Sequence, residues 1–241
     1  FVPAAAWSQV AEMIGELQAN PSVNKIFLPE NMAKEAGEKA EAFSFDSLTT
    51  TTTVKQMAAL AEDADYVLLL TKVTAVKLGQ FAIERLVDTA ELTGAVKVYS
   101  DYYEVKEGKL ATHPVIDYQQ GSLRDDFNFG PLVLYKADAF TTAVKNMTQD
   151  FEHAGMYYLR LKVAQQGELF RIPEFLYTID ETDNRKSGQK IFDYVDPKNR
   201  QVQVEMEQAA TEHLKDIDAW LSPDFTPVEL DEKSFAKKAS V

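Results

Sequence analysis

The chain has 241 residues, of which 45% are hydrophobic and 26% are charged, a balance typical of a globular protein with a full core. Its 25 basic and 38 acidic residues give a formal net charge of −13, which argues against nucleic acid and anionic lipid as partners. The lack of cysteine excludes disulfides and thiol catalysis, and no apolar run is long enough to span a bilayer.

The first hundred residues alternate between predicted strands and helices. The strands are apolar and end at proline, acidic or threonine residues; they are Phe1–Pro3, Lys25–Leu28, Tyr66–Leu70 and Ala95–Ser100. The helices repeat apolar residues every three or four positions; one follows Pro3, one covers Val54–Glu62 with Thr53 as its cap, and one runs from Leu78 to Gly94. This alternation predicts a parallel sheet covered by helices.

The second half has a different pattern. Tyr102–Val105 and Lys109–Ala111 flank Lys106-Glu107-Gly108, which predicts a small antiparallel hairpin. Further strands are predicted at Leu132–Tyr135 and after Gly167, with two helices between them.

A long amphipathic helix is predicted after Asp196-Pro197. Its apolar stripe repeats at spacings of four, four, three and four; it consists of Met206, Ala210, Leu214, Ile217 and Leu221. Trp220 continues this face, so we expect it to lie in the core.

Two stretches carry a resemblance to a known family. In Ala64–Val105, Asp65-Tyr66 enters an apolar strand and Tyr99-Ser100-Asp101 ends a later one. In Gly155–Tyr177, a helix ending Leu-Arg-Leu is followed by a glycine and by a strand that ends Leu-Tyr. Over roughly residues 1–195 the chain resembles family 2 glycosyltransferases of the GT-A fold.

The resemblance implies an α/β fold, with a mostly parallel sheet flanked by helices, a small antiparallel part and a long C-terminal helix. It also implies transfer of a sugar from a nucleotide-diphospho-sugar to an acceptor glycan or lipid. In the family, a divalent metal held by an Asp-x-Asp motif neutralises the leaving diphosphate, and a carboxylate deprotonates the acceptor hydroxyl.

The family's donor-site positions fall on different residue types in this chain. The Asp-x-Asp position falls on Thr71-Lys72-Val73, so we predict that this position supplies no carboxylate ligands for Mg²⁺ or Mn²⁺. The residues expected to bind the donor lie near strand ends, on an early helix and in the loop after the last strand; they are Pro3, Glu30, Lys55, Lys72, Asp101, Arg185 and Lys186. Lys72 would act as a fixed cation facing the diphosphate.

Three residues are candidates for catalysis. The family's Glu-Asp pair, which supplies the base, falls near His153-Ala154, so Glu152 and His153 are the candidate bases. Asp126 lies in Gly121–Gly130 (GSLRDDFNFG), where paired acids among glycines and aromatic residues suit sugar binding. The alternative for this stretch is a capped turn with an internal ion pair.

Three interpretations of the missing acids stay open. The chain is a metal-independent transferase that uses Lys72 as cation and His153 or Glu152 as base. Alternatively, it is a degenerate domain that binds a sugar nucleotide, a glycan or a partner without catalysis. In the third interpretation the acids come from elsewhere, for example from Asp101 or from Asp125-Asp126.

The expected organisation is one GT-A-like domain over residues 1–222, followed by a linker or a lead-in to another domain over residues 223–241. The ending Ala-Ser-Val after a basic pair resembles the approach to the first strand of a second family 2 domain, and a disordered tail is the alternative. Because Phe1–Pro3 is typical of a strand's end, we expect the chain to be a fragment. If the tail does lead into a second family 2 domain, the chain is the amino-terminal domain of a tandem transferase. The predicted location is the cytoplasm, with the inner face of a membrane as the alternative.

Overall fold

The structure is a computed structural model that describes residues 1–44, 47–180, 200–224 and 226. Its helices are α1 (Trp7–Ala19), α2 (Glu30–Ala33), α3 (Thr51–Leu60), α4 (Ala82–Thr93), α5 (Ala137–Lys145), α6 (Gly155–Ala164) and α7 (Arg200–Asp216). Its strands are β1 (Ile26–Leu28), β2 (Ala40–Ala42), β3 (Tyr66–Leu70), β4 (Val76–Leu78), β5 (Lys97–Lys106), β6 (Lys109–His113), β7 (Leu132–Lys136) and β8 (Leu169–Asp180). The predicted α/β class is confirmed.

The main sheet is mixed, so the prediction of a mostly parallel sheet is wrong. Its order is β3-β7-β5-β8-β4, with β6 paired to β5. The β5–β8 pair is parallel, whereas β7 runs antiparallel to both β3 and β5, and β4 runs antiparallel to β8. The apolar pattern of a buried strand is the same in either direction, which is why the sequence did not reveal the reversal. The predicted hairpin is confirmed as β5–β6.

The amino-terminal residues connect the main sheet to the small parallel sheet of β1 and β2. The Phe1 carbonyl accepts a hydrogen bond from the Leu70 amide at 3.0 Å, and the Val2 amide donates to the Phe27 carbonyl at 2.9 Å. The Phe1 ring stacks on Phe27 and meets Phe43 edge-on, at centroid distances of 4.7 and 5.3 Å. Phe1 and Val2 therefore lie between β1 and β3.

Two local predictions differ from the structure. Helix α3 begins at Thr51, because the Thr50 hydroxyl accepts a hydrogen bond from the Thr53 amide at 3.1 Å; Thr53 itself is not the cap. Leu78, predicted to be helical, lies in strand β4 paired with β8. Helix α4 starts only after Phe81, whose φ of 59° is left-handed and whose side chain is 67% exposed.

The long C-terminal helix is confirmed, but its contact face differs from the predicted stripe. The residues that α7 buries are Glu205, Ala209 and His213, because it packs on polar side chains of α6. Trp220 lies beyond the helix end and is 37% exposed, so its predicted place in the core is wrong. Among the described residues, no helix has the length and apolar character needed to cross a membrane.

Candidate functional site

The candidate site is the edge at which strands β1 and β3 end together with the amino-terminal segment Phe1–Val2, which is hydrogen-bonded between them. Phe1–Val2 leads into Pro3, β1 into Pro29–Glu30, and β3 into Thr71–Lys72. The Phe1 amino group donates to the Leu68 carbonyl while the Phe1 carbonyl accepts from Leu70, which is the parallel pattern. We call the edge formed by Pro3, Glu30, Thr71 and Lys72 the strand-end edge.

One cavity lies mostly towards the opposite end of these strands and reaches Phe1, Val2 and Leu70. Its volume is about 840 Å³, and it is lined by residues 22–27, which lead into β1, and residues 63–68, which lead into β3. Ligand chemistry in α/β sheets is found at the carboxyl ends of parallel strands. We therefore build the candidate site from the strand-end edge rather than from this cavity.

The segment predicted to supply the base, residues 150–155, docks on the amino end of α3. The Thr51 amide donates to the Phe151 carbonyl and the Phe151 amide donates to the Thr51 hydroxyl, both at 2.9 Å. The Thr49 hydroxyl donates to the Glu152 carbonyl at 2.9 Å, and the Gly155 amide donates to the Thr49 carbonyl at 2.6 Å. The threonine-rich run at residues 49–53 is therefore the surface that positions this segment.

Glu205 of α7 holds the same segment from the other side. Its carboxylate accepts hydrogen bonds from the backbone amides of His153 and Ala154, at 2.7 and 3.2 Å, immediately before the start of α6. Burial raises the pKa of Glu205, but these hydrogen bonds outweigh burial and hold the pKa below its usual value. No local sequence pattern marks Glu205, because its two partners lie about fifty residues earlier in the chain.

Four predicted site residues have side chains without a hydrogen bond or an ion pair within the described part of the chain. Glu30, Lys72 and Glu152 are exposed, and His153 is half-buried. Lys55 differs, because its ammonium lies 2.6 Å from the Asp150 carboxylate. Pro3 is buried at the edge.

Asp101 is engaged in a buried ion pair. Its carboxylate accepts two hydrogen bonds from the Arg171 guanidinium, at 2.9 and 2.7 Å, and one from the Val115 amide at 2.9 Å. Asp101 is 3% exposed, and Arg171 also lies 3.3 Å from Asp117. Both carboxylate oxygens of Asp101 are thus occupied by other groups of the chain.

Asp126 forms an ion pair within its own loop. The Arg124 guanidinium donates to both of its carboxylate oxygens at 2.9 Å, and both side chains are 68% exposed. These hydrogen bonds are the main reason why the pKa of Asp126 is below its usual value. This is the capped-turn alternative considered for the Gly121–Gly130 stretch. Arg185 and Lys186 lie outside the described residues.

The residues at the strand-end edge do not fit a divalent metal. The position that the resemblance matches to Asp-x-Asp is Thr71-Lys72-Val73, which has no carboxylate, and the Lys72 ammonium would repel a metal cation. Within residues 1–44, 47–180 and 200–224, no group of three or more His, Asp or Glu side chains is placed to hold a metal.

Comparisons of the chain with models of known families and with curated proteins found no match. The assignment to glycosyltransferases therefore stays a prediction.

Proposed function

We propose that the chain is a glycosyltransferase-like domain that binds a nucleotide-diphospho-sugar at the strand-end edge and transfers the sugar to a glycan or lipid acceptor without a divalent metal. The observation that carries the proposal is the meeting of the ends of β1 and β3 with the Phe1–Val2 segment between them. Glu30 and Lys72 are exposed there, and their side chains have no partner among the described residues. A GT-A fold is part of the proposal, supported by the parallel early strands, the β5–β6 hairpin and α7.

In the proposed reaction each of these exposed side chains has one role. The Lys72 ammonium neutralises the diphosphate, and the Glu30 carboxylate accepts a hydrogen bond from a ribose hydroxyl. The acceptor oxygen attacks the anomeric carbon, and the bond from that carbon to the diphosphate oxygen breaks with its electrons going to the diphosphate. The acceptor proton passes to Glu152 or His153.

Lys55 is a second cation for the diphosphate. Its pair with Asp150 is exposed, with side-chain exposures of 43% and 74%, and such pairs contribute only about 0–1 kcal/mol. A diphosphate could therefore displace Asp150 at little cost.

A second candidate is a non-catalytic domain that binds a sugar nucleotide or a glycan and supports a partner transferase. The observation that favours it is the engagement of Asp101 and Asp126 by arginines. In residues 150–155, the Asp150 carboxylate is paired with Lys55. Glu152 is therefore the acid of this segment whose carboxylate has no partner among the described residues.

Calorimetric titration of the full chain with UDP-sugars and GDP-sugars, with and without Mn²⁺, tests donor binding. We expect Lys72→Ala to weaken binding by about tenfold or more, since a charge-assisted phosphate contact is lost. The matched control is Lys109→Ala, which removes an exposed lysine of the hairpin. Binding that requires Mn²⁺ would contradict the metal-free site. If no sugar nucleotide binds, the transferase proposal fails, and a non-catalytic domain that binds a glycan or supports a partner transferase remains.

Measuring the release of the nucleoside diphosphate distinguishes transfer of the sugar from binding of the donor alone. We expect Glu152→Gln or His153→Ala to retain donor binding and to slow release by roughly 10²- to 10⁴-fold, the range for loss of a general base. Donor binding without release in the wild type, in water and with added glycan acceptors, would favour the non-catalytic candidate.

A further inference from the structure

Two buried cationic side chains lie beneath the segment that joins β6 to β7, and neither forms an ion pair with a described residue. Arg160 of α6 is 5% exposed, and its three guanidinium nitrogens are buried without a hydrogen-bond partner. Lys97 of β5 is 3% exposed, and its ammonium makes no hydrogen bond or ion pair within the described residues. Through the register Lys97–Tyr135–Val67 it is placed in the middle of the sheet, away from the strand-end edge.

Both cations contact one aromatic wall. The Lys97 ammonium lies 3.4 Å from the centroid of the Phe129 ring. The Arg160 guanidinium carbon lies 4.7 Å from the Tyr157 centroid and 5.9 Å from the Tyr118 centroid. The Tyr118 and Phe129 rings are 5.8 Å apart, which joins the two cations into one cluster. We call Lys97, Arg160 and these three rings the cation cluster.

The aromatic rings do not offset the burial of two charges. A cation–π contact contributes about 0.5–2 kcal/mol, whereas removing an ion from water costs several kcal/mol. Burial, and then the charge of Arg160, hold the pKa of Lys97 well below its ordinary value.

The acids of the covering segment form no ion pair with Lys97 or Arg160, although the charge of Arg160 is a minor cause of the lowered pKa of Asp126. Asp126 is paired with Arg124, and Asp125 is exposed and makes no ion pair within the described residues. The chain has 38 acidic residues against 25 basic ones, so a buried pair of cations without a carboxylate is unusual in it.

We propose that Arg160 and Lys97 form a binding site for a phosphate group, either as free inorganic phosphate or as a phosphate monoester of a larger ligand. The planar guanidinium fork can donate to two oxygens at once, and the ammonium adds a point charge, a combination that suits a tetrahedral oxyanion. The aromatic wall excludes water, which strengthens both interactions. This site is separate from the strand-end edge, so its test does not depend on the proposed transferase.

Access to the cation cluster requires movement of the covering segment. Its residues 119–126 are exposed or half-buried and in irregular structure, whereas Phe129 is buried against Lys97. Gly121 and Gly130 adopt φ values of 86° and 75°, which other residues rarely adopt. A shift of this segment would expose both cations while leaving β5 and α6 in place.

Thermal unfolding of the full chain in chloride and in inorganic phosphate, at equal ionic strength, tests the site. We expect phosphate to raise the melting temperature of the wild type with the concentration dependence of a bound ligand. Arg160→Gln and Lys97→Met should each weaken phosphate binding by about tenfold or more. The matched control is Arg85→Gln, because Arg85 is an exposed arginine paired with Glu174, and it should keep the full response.

Methyl phosphate distinguishes the two sources of the phosphate group. A response to inorganic phosphate alone assigns a site for the free anion, and a response to both assigns a site open to monoesters. Line broadening in the phosphorus NMR spectrum of phosphate mixed with the wild type provides a readout that does not depend on whether a variant folds.

Three results would overturn the proposal. The first is a wild type that shows neither thermal stabilisation nor line broadening beyond the effect of ionic strength. The second is a phosphate response that survives in both Arg160→Gln and Lys97→Met. The third is a large loss of stability for Lys97→Met in chloride, which would show that the chain itself already satisfies this cation; an unpaired buried charge should be replaced by methionine without such a loss.

Discussion

Glu212 is the residue at which the polar contact between α6 and α7 is concentrated. Its carboxylate accepts hydrogen bonds from the Tyr158 hydroxyl, from the Thr148 hydroxyl at 2.9 Å and from the Gln149 amide at 2.6 Å. It also lies 2.7 Å from the Lys162 ammonium, whose side chain is only 5% exposed. Burial raises the pKa of Glu212, but these partners outweigh burial and lower it to about 2.

The lowered pKa makes Glu212 a source of acid sensitivity. Its unfolded pKa is near 4.5, so its stabilising contribution is complete above that value and is lost as the pH falls towards 2. We expect Glu212→Gln to lower the free energy of unfolding by about 2–3 kcal/mol near neutral pH and to flatten its decrease in acid. Urea unfolding between pH 7 and pH 2 measures both effects.

The control for this substitution is Glu207→Gln, which removes an exposed acid from the same helix. If Glu212→Gln and the wild type lose stability in parallel as the pH falls, another acid causes the sensitivity.

At the scale of elements, two glycines have opposite surroundings. Gly155 begins α6, and a Cβ atom there would lie 2.6 Å from the Thr49 carbonyl oxygen and from the Thr51 amide nitrogen. Gly15 lies in the middle of α1, is exposed, and would have no atom within 4 Å of an added Cβ. The first glycine is required by the close approach of α6 to the amino end of α3, whereas the second is not.

We expect Gly155→Ala to lower the free energy of unfolding by roughly 2–4 kcal/mol, because the backbone atoms it meets cannot rotate away. Gly15→Ala should instead raise it by up to about 1 kcal/mol, since alanine favours a helix interior. Urea unfolding of both variants measures the difference. Equal effects of the two substitutions would show that residues 49–51 move aside easily.

At the scale of the whole molecule, the two sheets are held together by Phe1 and Val2 and by the rings around them. Phe27 of β1 is 7% exposed and contacts both Phe1 and Phe43, at centroid distances of 4.7 and 6.4 Å. The strand-end edge depends on this junction, because Pro3 and Glu30 follow directly from the strands that it joins.

We expect Phe27→Ala to lower the free energy of unfolding by about 3–5 kcal/mol, the usual range for deleting a buried phenylalanine ring. The control Leu92→Ala, at a side chain that is 84% exposed, should change it by less than about 0.5 kcal/mol. Fluorescence-monitored urea unfolding gives both values. A loss below about 1 kcal/mol for Phe27→Ala would mean that the junction is not part of the cooperative core.

The sequence by itself determined the α/β class, the buried strand Tyr66–Leu70, the β5–β6 hairpin and the long C-terminal helix. Each of these rests on a local pattern: an apolar run, a turn signal or a helical repeat. The sequence also placed threonine and Lys72, rather than carboxylates, at the end of β3. No more than a few neighbouring residues are needed for any of these conclusions.

Only the tertiary structure decided the direction of β7 and the partners of the charged residues. Asp101 meets Arg171 across 70 positions, and Glu205 reaches His153 across 52. The guanidinium of Arg160 is buried without a hydrogen bond to any described residue, and this depends on which segment covers it. The physical reason is that a charge is satisfied or left unpaired by groups close in space, and the order of the residues does not encode that proximity over such distances.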